Sequence, residues 1–211
     1  MPVRREFIFS DREGARKELK LDDRPVVVTA FGSQGAKAMN ELMAELFLLE
    51  QEAGFPFQHI HAVGSYGWSW MPDYVKERGV DLSKTEDIRM VQYIYNMPTV
   101  VAAADVFIGR AGASTCNEIA ASGTPCILIP SPNVTNNHQE MNARVLSENG
   151  GATLVLEKDC TARGVFDEII SITSNKEKAS AMRSALLKIA VPDSAERLCD
   201  IIYALAQQRS K

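Results

Sequence analysis

The stretch 107–143 constrains the fold of this chain more than any other. A short apolar run, Phe107-Ile108, enters a glycine turn, Gly109-Arg110-Ala111-Gly112. Small residues from Ala113 onward then carry a helical pattern that stops near Gly123. A second apolar run over 125–129 follows, and a polar loop opens another helix. Two strands joined by a helix lie parallel, and the helix N-terminus is left at the carboxyl edge of the sheet. That edge is where α/β proteins bind nucleotides and phosphorylated ligands.

The same alternation runs through the rest of the chain. Residues 25–31 form a continuous β-branched run, which predicts a strand buried on both faces. Gly32-Ser33-Gln34-Gly35 breaks it. A helix over 36–53 carries Met39, Leu42, Met43, Leu46 and Leu49 on one stripe. Further strands are predicted over 57–63, 88–94, 105–108 and 153–156, and helices over 97–104, 137–149, 163–174, 176–190 and 193–208, the last capped by Asp193 or Ser194. Ser10 or Asp11 is placed to cap a short helix over 11–19. The segment 65–84 reads as irregular or helical, without a clear period, and its Trp68 and Trp70 read as packing residues. Right-handed crossovers turn this order into a Rossmann-like parallel sheet of about six strands with helices on both faces, an α/β fold. The reading is one domain over 1–211, in which 1–10 is an extended interdomain linker.

Composition narrows the function classes. A net charge of -4 gives no global reason to expect nucleic acid. No apolar run approaches the ~20 residues that span a bilayer, and no signal-peptide core is visible, so a cytosolic protein is expected. The four cysteines, Cys116, Cys126, Cys160 and Cys199, lack paired metal spacing and read as buried reduced thiols. His59 and His61 share a strand face without a third ligand nearby, so no metal is expected. Asn133-Val134-Thr135 matches a glycosylation sequon, which in a cytosolic chain is chance.

Several motifs carry chemistry, each with a plainer alternative. The backbone of Gly32 and Gly35 suits a phosphate loop, with Ser33 and Gln34 adding a hydroxyl and an amide, or the segment is a tight turn. Gly112 and Ala113 repeat that logic at another strand end, where Arg110 suits either a phosphate or a surface carboxylate. Glu118 suits a ribose diol, but Thr115-Cys116-Asn117-Glu118 fits a capping box, and spacing alone favours the cap. Asn136-Asn137-His138-Gln139-Glu140 suits sugar hydroxyls or a helix cap.

Taken together these segments resemble the C-terminal donor-binding domain of the MurG family of bacterial glycosyltransferases, over nearly the whole chain. Pro2-Val3-Arg4 matches the family's interdomain Asn-Pro-Val-Arg. Phe31-Gly32-Ser33-Gln34-Gly35-Ala36 matches its Gly-Gly-Ser-Gln-Gly-Ala loop, with Phe31 for the first glycine. Arg110-Ala111-Gly112-Ala113-Ser114-Thr115, Glu118-Ile119-Ala120-Ala121 and His138-Gln139-Glu140-Met141-Asn142-Ala143 match its other motifs in order. Pro192-Asp193-Ser194-Ala195 resembles the opening of its last helix.

The resemblance implies half of a GT-B fold that binds UDP-GlcNAc. Arg4, Ser33 and Gln34 would face the diphosphate, and the backbone of Ile94 would read the uracil. Glu118 would hold the ribose hydroxyls, and Gln139 the sugar hydroxyls. His138 stands where the family usually has another glutamine. The implied reaction is an inverting, metal-independent transfer of N-acetylglucosamine to lipid I, giving lipid II for peptidoglycan, with no cofactor. The implied general base, the lipid I site and the membrane contact lie on an N-terminal acceptor domain, so no catalytic residue is expected here. The whole enzyme would sit peripherally on the cytoplasmic face of the membrane. The chain is then expected to be a truncated or isolated half that binds donor without transferring sugar. Other readings are the donor subunit of a two-chain transferase, a UDP-GlcNAc 2-epimerase and a non-enzymatic nucleotide-sugar-binding module.

Overall fold

The computed structural model describes residues 1–9 and 11–209. Six parallel strands form one sheet in the order β3-β2-β1-β4-β5-β6. They are β1 (Val26–Ala30), β2 (Gln58–Ala62), β3 (Ile88–Val91), β4 (Val106–Gly109), β5 (Cys126–Leu128) and β6 (Ala152–Leu154). The helices are α1 (Arg5–Ile8), α2 (Arg12–Glu18), α3 (Lys37–Glu52), α4 (Met71–Glu77) and α5 (Met97–Ala103), then α6 (Ala113–Ser122), α7 (His138–Glu148), α8 (Ala162–Thr173), α9 (Lys176–Ile189) and α10 (Ser194–Arg209).

The sheet is buried on both faces because its strands alternate two apolar sets. Val27, Ile108 and Ile127 face one core with Met43 and Phe47 of α3 and Ile169 of α8. Val28, Phe107 and Leu128 face the other with Ile119 of α6 and Leu146 of α7. Each such side chain contributes ~1.5–3 kcal/mol when fully buried, so the two cores fix the layers.

This order places the site. The chain leaves β1 towards β2 on one side and leaves β4 towards β5 on the other. β1 and β4 lie side by side, with Ala30 opposite Gly109 at their carboxyl ends. The crevice above that pair is the topological switch point where open α/β sheets take their ligands.

Three expectations are corrected. Residues 1–9 are not simply extended: α1 makes a helical turn and buries Phe7 in the second core. The unresolved period of 65–84 is α4 followed by a short 3-10 turn, Leu82–Lys84; Trp70 packs edge-on to Tyr74 at 5.2 Å, while Trp68 is partly exposed. Of the cysteines, Cys116 and Cys126 are buried, Cys160 is intermediate and Cys199 is exposed, because its helix stands away from the core. Ser10, one candidate cap of α2, lies outside the described residues, and Asp11 makes no side-chain cap bond. No helix among the described residues is long and apolar enough to cross a membrane.

Candidate functional site

Two loops and two helix starts frame the crevice. After β1 the chain turns at Gly32 and Gly35, both with positive φ (94° and 80°). The second is forced by packing as well as by conformation. A Cβ on Gly35 would lie 2.1 Å from the Val63 carbonyl oxygen, and one on Gly64 would lie 2.1 Å from Gly35 N. The two glycines let the loops after β1 and β2 lie backbone on backbone, pinned by Ser65 N–H donating to Ser33 O at 3.1 Å. Around Gly32 the space is open. The Gly35 N–H is consumed within the turn, donating to Gly32 O at 3.1 Å. Gly35 therefore shapes the loop and does not supply the free donor expected of a phosphate-loop backbone.

Neither helix that opens on the crevice is capped by a side chain. α3 begins after Ala36 and α6 after Gly112, and neither cap position makes a side-chain bond. The first N–H groups of such a helix have no intrahelical partner and sit at its positive end, which suits an anion. The start of α6 also settles the choice that spacing left open for Glu118. The helix begins at Ala113, two residues before Thr115, so Glu118 stands in the second turn. It cannot reach back as the third residue of a capping box, and the cap reading is overturned.

Glu118 instead lines a cavity of about 180 Å³ with Gly32, Ser33, Ile94 and Thr115. Phe7, Phe107 and Ile119 close its apolar end, and Tyr93 and Met97 stand beside Ile94. Burial pushes the Glu118 carboxyl above its ordinary value, and the Arg4 guanidinium partly offsets this. Arg4 NH2 lies 3.6 Å from Glu118 Oε1. Residues far apart in sequence, Arg4, Ser33, Ile94 and Glu118, thus meet at one site.

The 130–142 segment follows β5 and leads into α7. Arg110 does not face the crevice: its side chain is 14% exposed and paired to Glu157 at 2.5 Å. It also donates to Ile129 O at 3.0 Å and Pro130 O at 3.2 Å. Of the two roles open to Arg110, the carboxylate partner is the one found, and it braces the loop after β5. Asn142 Nδ2 donates to Ala111 O at 3.0 Å, tying α7 to the turn before α6.

Ser131 N–H donates to Gln139 Oε1 at 3.0 Å, which fixes the amide of Gln139 and directs its nitrogen elsewhere. His138 Nδ1 is 2.9 Å from Thr135 O. A carbonyl can only accept, so Nδ1 carries the proton and a neutral ring keeps Nε2 as an acceptor. Asn136 and Asn137 hold left-handed conformations (φ 55° and 51°) just before these residues, and Asn137 makes no cap bond to α7. Gln34, Gly112, Ala113, His138 and Gln139 do not line the Glu118 cavity. A wider groove of about 630 Å³ lies against the other side of this segment, reaching Ser131, Asn137 and Glu140.

Sequence reasoning missed Phe7, Tyr93 and Met97 at the cavity. It also missed what His59 and His61 do. Both are fully buried in a hydrogen-bonded chain: Glu50 Oε1 to His59 Nδ1 at 2.7 Å, His59 Nε2 to Thr29 Oγ1 at 2.8 Å, and Thr29 Oγ1 to His61 Nδ1 at 2.7 Å. The signal was present, since Glu50 falls on the apolar stripe of α3 beside Leu46 and Phe47.

Comparison with known proteins gives four findings. Residues 26–198 match the model of the glycosyltransferase family 28 C-terminal domain. The chain is 38% identical over 205 residues to the UDP-N-acetylglucosamine--N-acetylmuramyl-(pentapeptide) pyrophosphoryl-undecaprenol N-acetylglucosamine transferase of Thermoanaerobacter sp. (strain X514), covering 97% of this chain and 55% of that protein. The fold is similar to the crystal structure of MurG from Acinetobacter baumannii, with a TM-score of 0.75, 24% identity, and coverage of 96% of this chain and 55% of that one. It is also similar to a putative UDP-N-acetylglucosamine 2-epimerase from Listeria monocytogenes, with a TM-score of 0.68, 12% identity, and coverage of 96% and 50%. At these identities the two structures speak for the fold alone. The chain spans about half the length of the curated relative it matches.

Proposed function

The chain belongs to glycosyltransferase family 28, whose C-terminal domain it matches, and from that premise we propose that it is the donor-binding part of an N-acetylglucosaminyltransferase of peptidoglycan synthesis. The donor is UDP-GlcNAc, and the acceptor is lipid I, the undecaprenyl-pyrophosphoryl muramyl pentapeptide. The observation that carries this reading is the cavity in which Ser33, Ile94 and Glu118 meet beside an uncapped helix N-terminus.

Uracil occupies the apolar end of that cavity, against the Ile94 backbone. The Glu118 carboxylate accepts both ribose hydroxyls. The diphosphate lies across Ser33 and Gln34 and the first N–H groups of α6, from Ala113 onward, with Arg4 as its mobile cation. The sugar extends towards α7, where the His138 ring nitrogen and the Gln139 amide take its hydroxyls. The chemistry is an inverting displacement in which the diphosphate leaves. Helix N-termini and N–H groups aimed at the leaving oxygens stabilise that developing charge without a metal or cofactor. The base that deprotonates the acceptor hydroxyl comes from an N-terminal acceptor domain, which also brings lipid I and the contact with the cytoplasmic face of the membrane. We assign no catalytic base to the present residues.

Calorimetric titration tests the donor half of the proposal. UDP-GlcNAc is expected to bind and UDP to compete with it; no heat and no competition would sink it. Turnover of a lipid I analogue is expected when an N-terminal acceptor domain is supplied, and turnover by these residues alone would sink the division of labour.

A further inference from the structure

The first residues of the chain lie over the very face of α6 that the donor needs. Met1 Sδ is 4.0 Å from Ser114 Oγ, and Arg4 NH2 is 3.6 Å from Glu118 Oε1. Ser114 and Glu118 are four residues apart, so both contacts fall on one stripe of the helix. Phe7, just beyond, seals the cavity from the same side and carries the Arg4 guanidinium 5.0 Å from its ring centroid. This segment therefore runs from the uncapped N-terminus of α6 to the carboxylate in its second turn, along the line from diphosphate to ribose.

Resting on the donor reading above, we infer that residues 1–4 form a strap across this site, and that Arg4 must leave Glu118 before a ribose diol can take its place. The pair is built to part. Its spacing exceeds that of a direct hydrogen bond, and its side chains are 54% and 26% exposed. An ion pair this open is weak and weakens further with salt. Burial disfavours the charged form of Glu118, and Arg4 partly offsets that. When a nucleoside diphosphate enters, the diol takes the carboxylate and the released guanidinium finds the diphosphate beside it. One cation thus neutralises two different anions in turn, and the exchange moves the segment that carries it.

Uridine isolates the first half of this exchange, because it has the base and the diol but no phosphate and no charge. Its affinity is read by NMR titration at low and high salt, with UDP titrated in parallel. Wild type is expected to bind uridine about two- to fivefold more tightly at high salt, as the competing ion pair is screened. Arg4→Met is expected to bind uridine about two- to fivefold more tightly than wild type at low salt, and to lose the salt response. 2′,3′-Dideoxyuridine, which has no use for Glu118, is expected to ignore the substitution. Weaker uridine binding by Arg4→Met would overturn the strap and make Arg4 a positioning residue for Glu118. Unchanged affinity and an unchanged salt response would overturn it too. If UDP binds while uridine shows no salt dependence, the strap alone fails; if neither UDP nor uridine binds, the donor reading fails with it.

Discussion

Glu118 decides between two roles that make opposite predictions. A carboxylate hydrogen-bonded to a diol contributes to binding, and a capping carboxylate contributes to stability. In the second turn of an uncapped helix, Glu118 has no cap to lose. Glu118→Ala is expected to weaken UDP binding about tenfold or more, with a melting temperature close to that of wild type. A loss of ~1 kcal/mol in stability, the usual cost of removing a cap, would restore the rejected role. Thermal melts beside calorimetric titrations read both numbers. The buried chain through Glu50, His59, Thr29 and His61 makes a second residue-scale prediction. Burial, and then the charge of His59, hold His61 well below its ordinary value of 6.5. Its unfolded form binds a proton that the folded form refuses, so the stability it contributes is present above pH 6.5 and is lost as pH falls below it. Glu50 shifts the other way, upward through burial, so its own contribution fades as pH rises above 4.5. Because the two trends oppose each other, the test is the difference: between pH 7.5 and pH 5.5 the urea midpoint of the wild type is expected to drop relative to that of His61→Leu. An equal drop in the variant would assign the acid sensitivity elsewhere. At this scale the sequence was legible where a motif fixes backbone shape, as in the turn at Gly32 and Gly35, and misleading at Glu118, where the spacing pointed to a cap that does not form. Phe7 and Tyr93 were not legible, because an aromatic residue in a loop carries no period that shows what it will cover.

At the scale of elements, most boundaries were readable within a few residues, because apolar runs and 3.6-residue stripes are strong signals here. β3 shows where that fails. The apolar pattern over 88–94 continues past the strand, which ends at Val91, and Ile94 is buried in the second core beyond the strand's end, where it also lines the cavity. The start of α6 at Ala113, just after the glycine turn, was legible; only the cap reading failed, because a polar Thr-x-x-Glu pattern signals a cap but here lies inside a helix that has already begun. The glycine pair behind the loop after β1 was not readable, since its meaning depends on a second loop brought there by the sheet. It makes a prediction that separates conformation from contact. Gly79 has φ of 92° with open space around it, whereas Gly64 has φ of 85° and the backbone of Gly35 in the way. Gly79→Ala is expected to cost the conformational strain alone, ~1–3 kcal/mol. Gly64→Ala is expected to cost more and also to weaken UDP binding, because the loop carrying Ser33 has to move. Equal destabilisation of the two variants, with binding intact in both, would show that the loops are not held by this contact.

For the whole molecule, the doubly covered parallel sheet followed from the order of elements and the handedness of crossovers. The strand order did not, because it depends on where the winding reverses, and no single segment records that. The reversal between β1 and β4 turns two unremarkable glycine turns into facing walls of one site. Stability should be distributed as the burial is. β1 is covered on both faces and α3 buries a full stripe. α10 is different: Leu198 is 44% exposed and Ile201 and Ile202 are each 57% exposed, so its apolar stripe adds little to either core. A helix of this length has little stability of its own in water. In native-state hydrogen exchange the amides of β1 and α3 are expected to open with free energies near that of global unfolding, ~5–15 kcal/mol, and those of α10 to exchange like a frayed end. Ending the chain at residue 191 is accordingly expected to move the melting temperature by no more than ~4 °C, the shift that corresponds to ~1 kcal/mol in a domain of this size. Protection of α10 equal to that of α3, or a much larger loss on truncation, would show that its apolar stripe is packed against the body of the domain in solution.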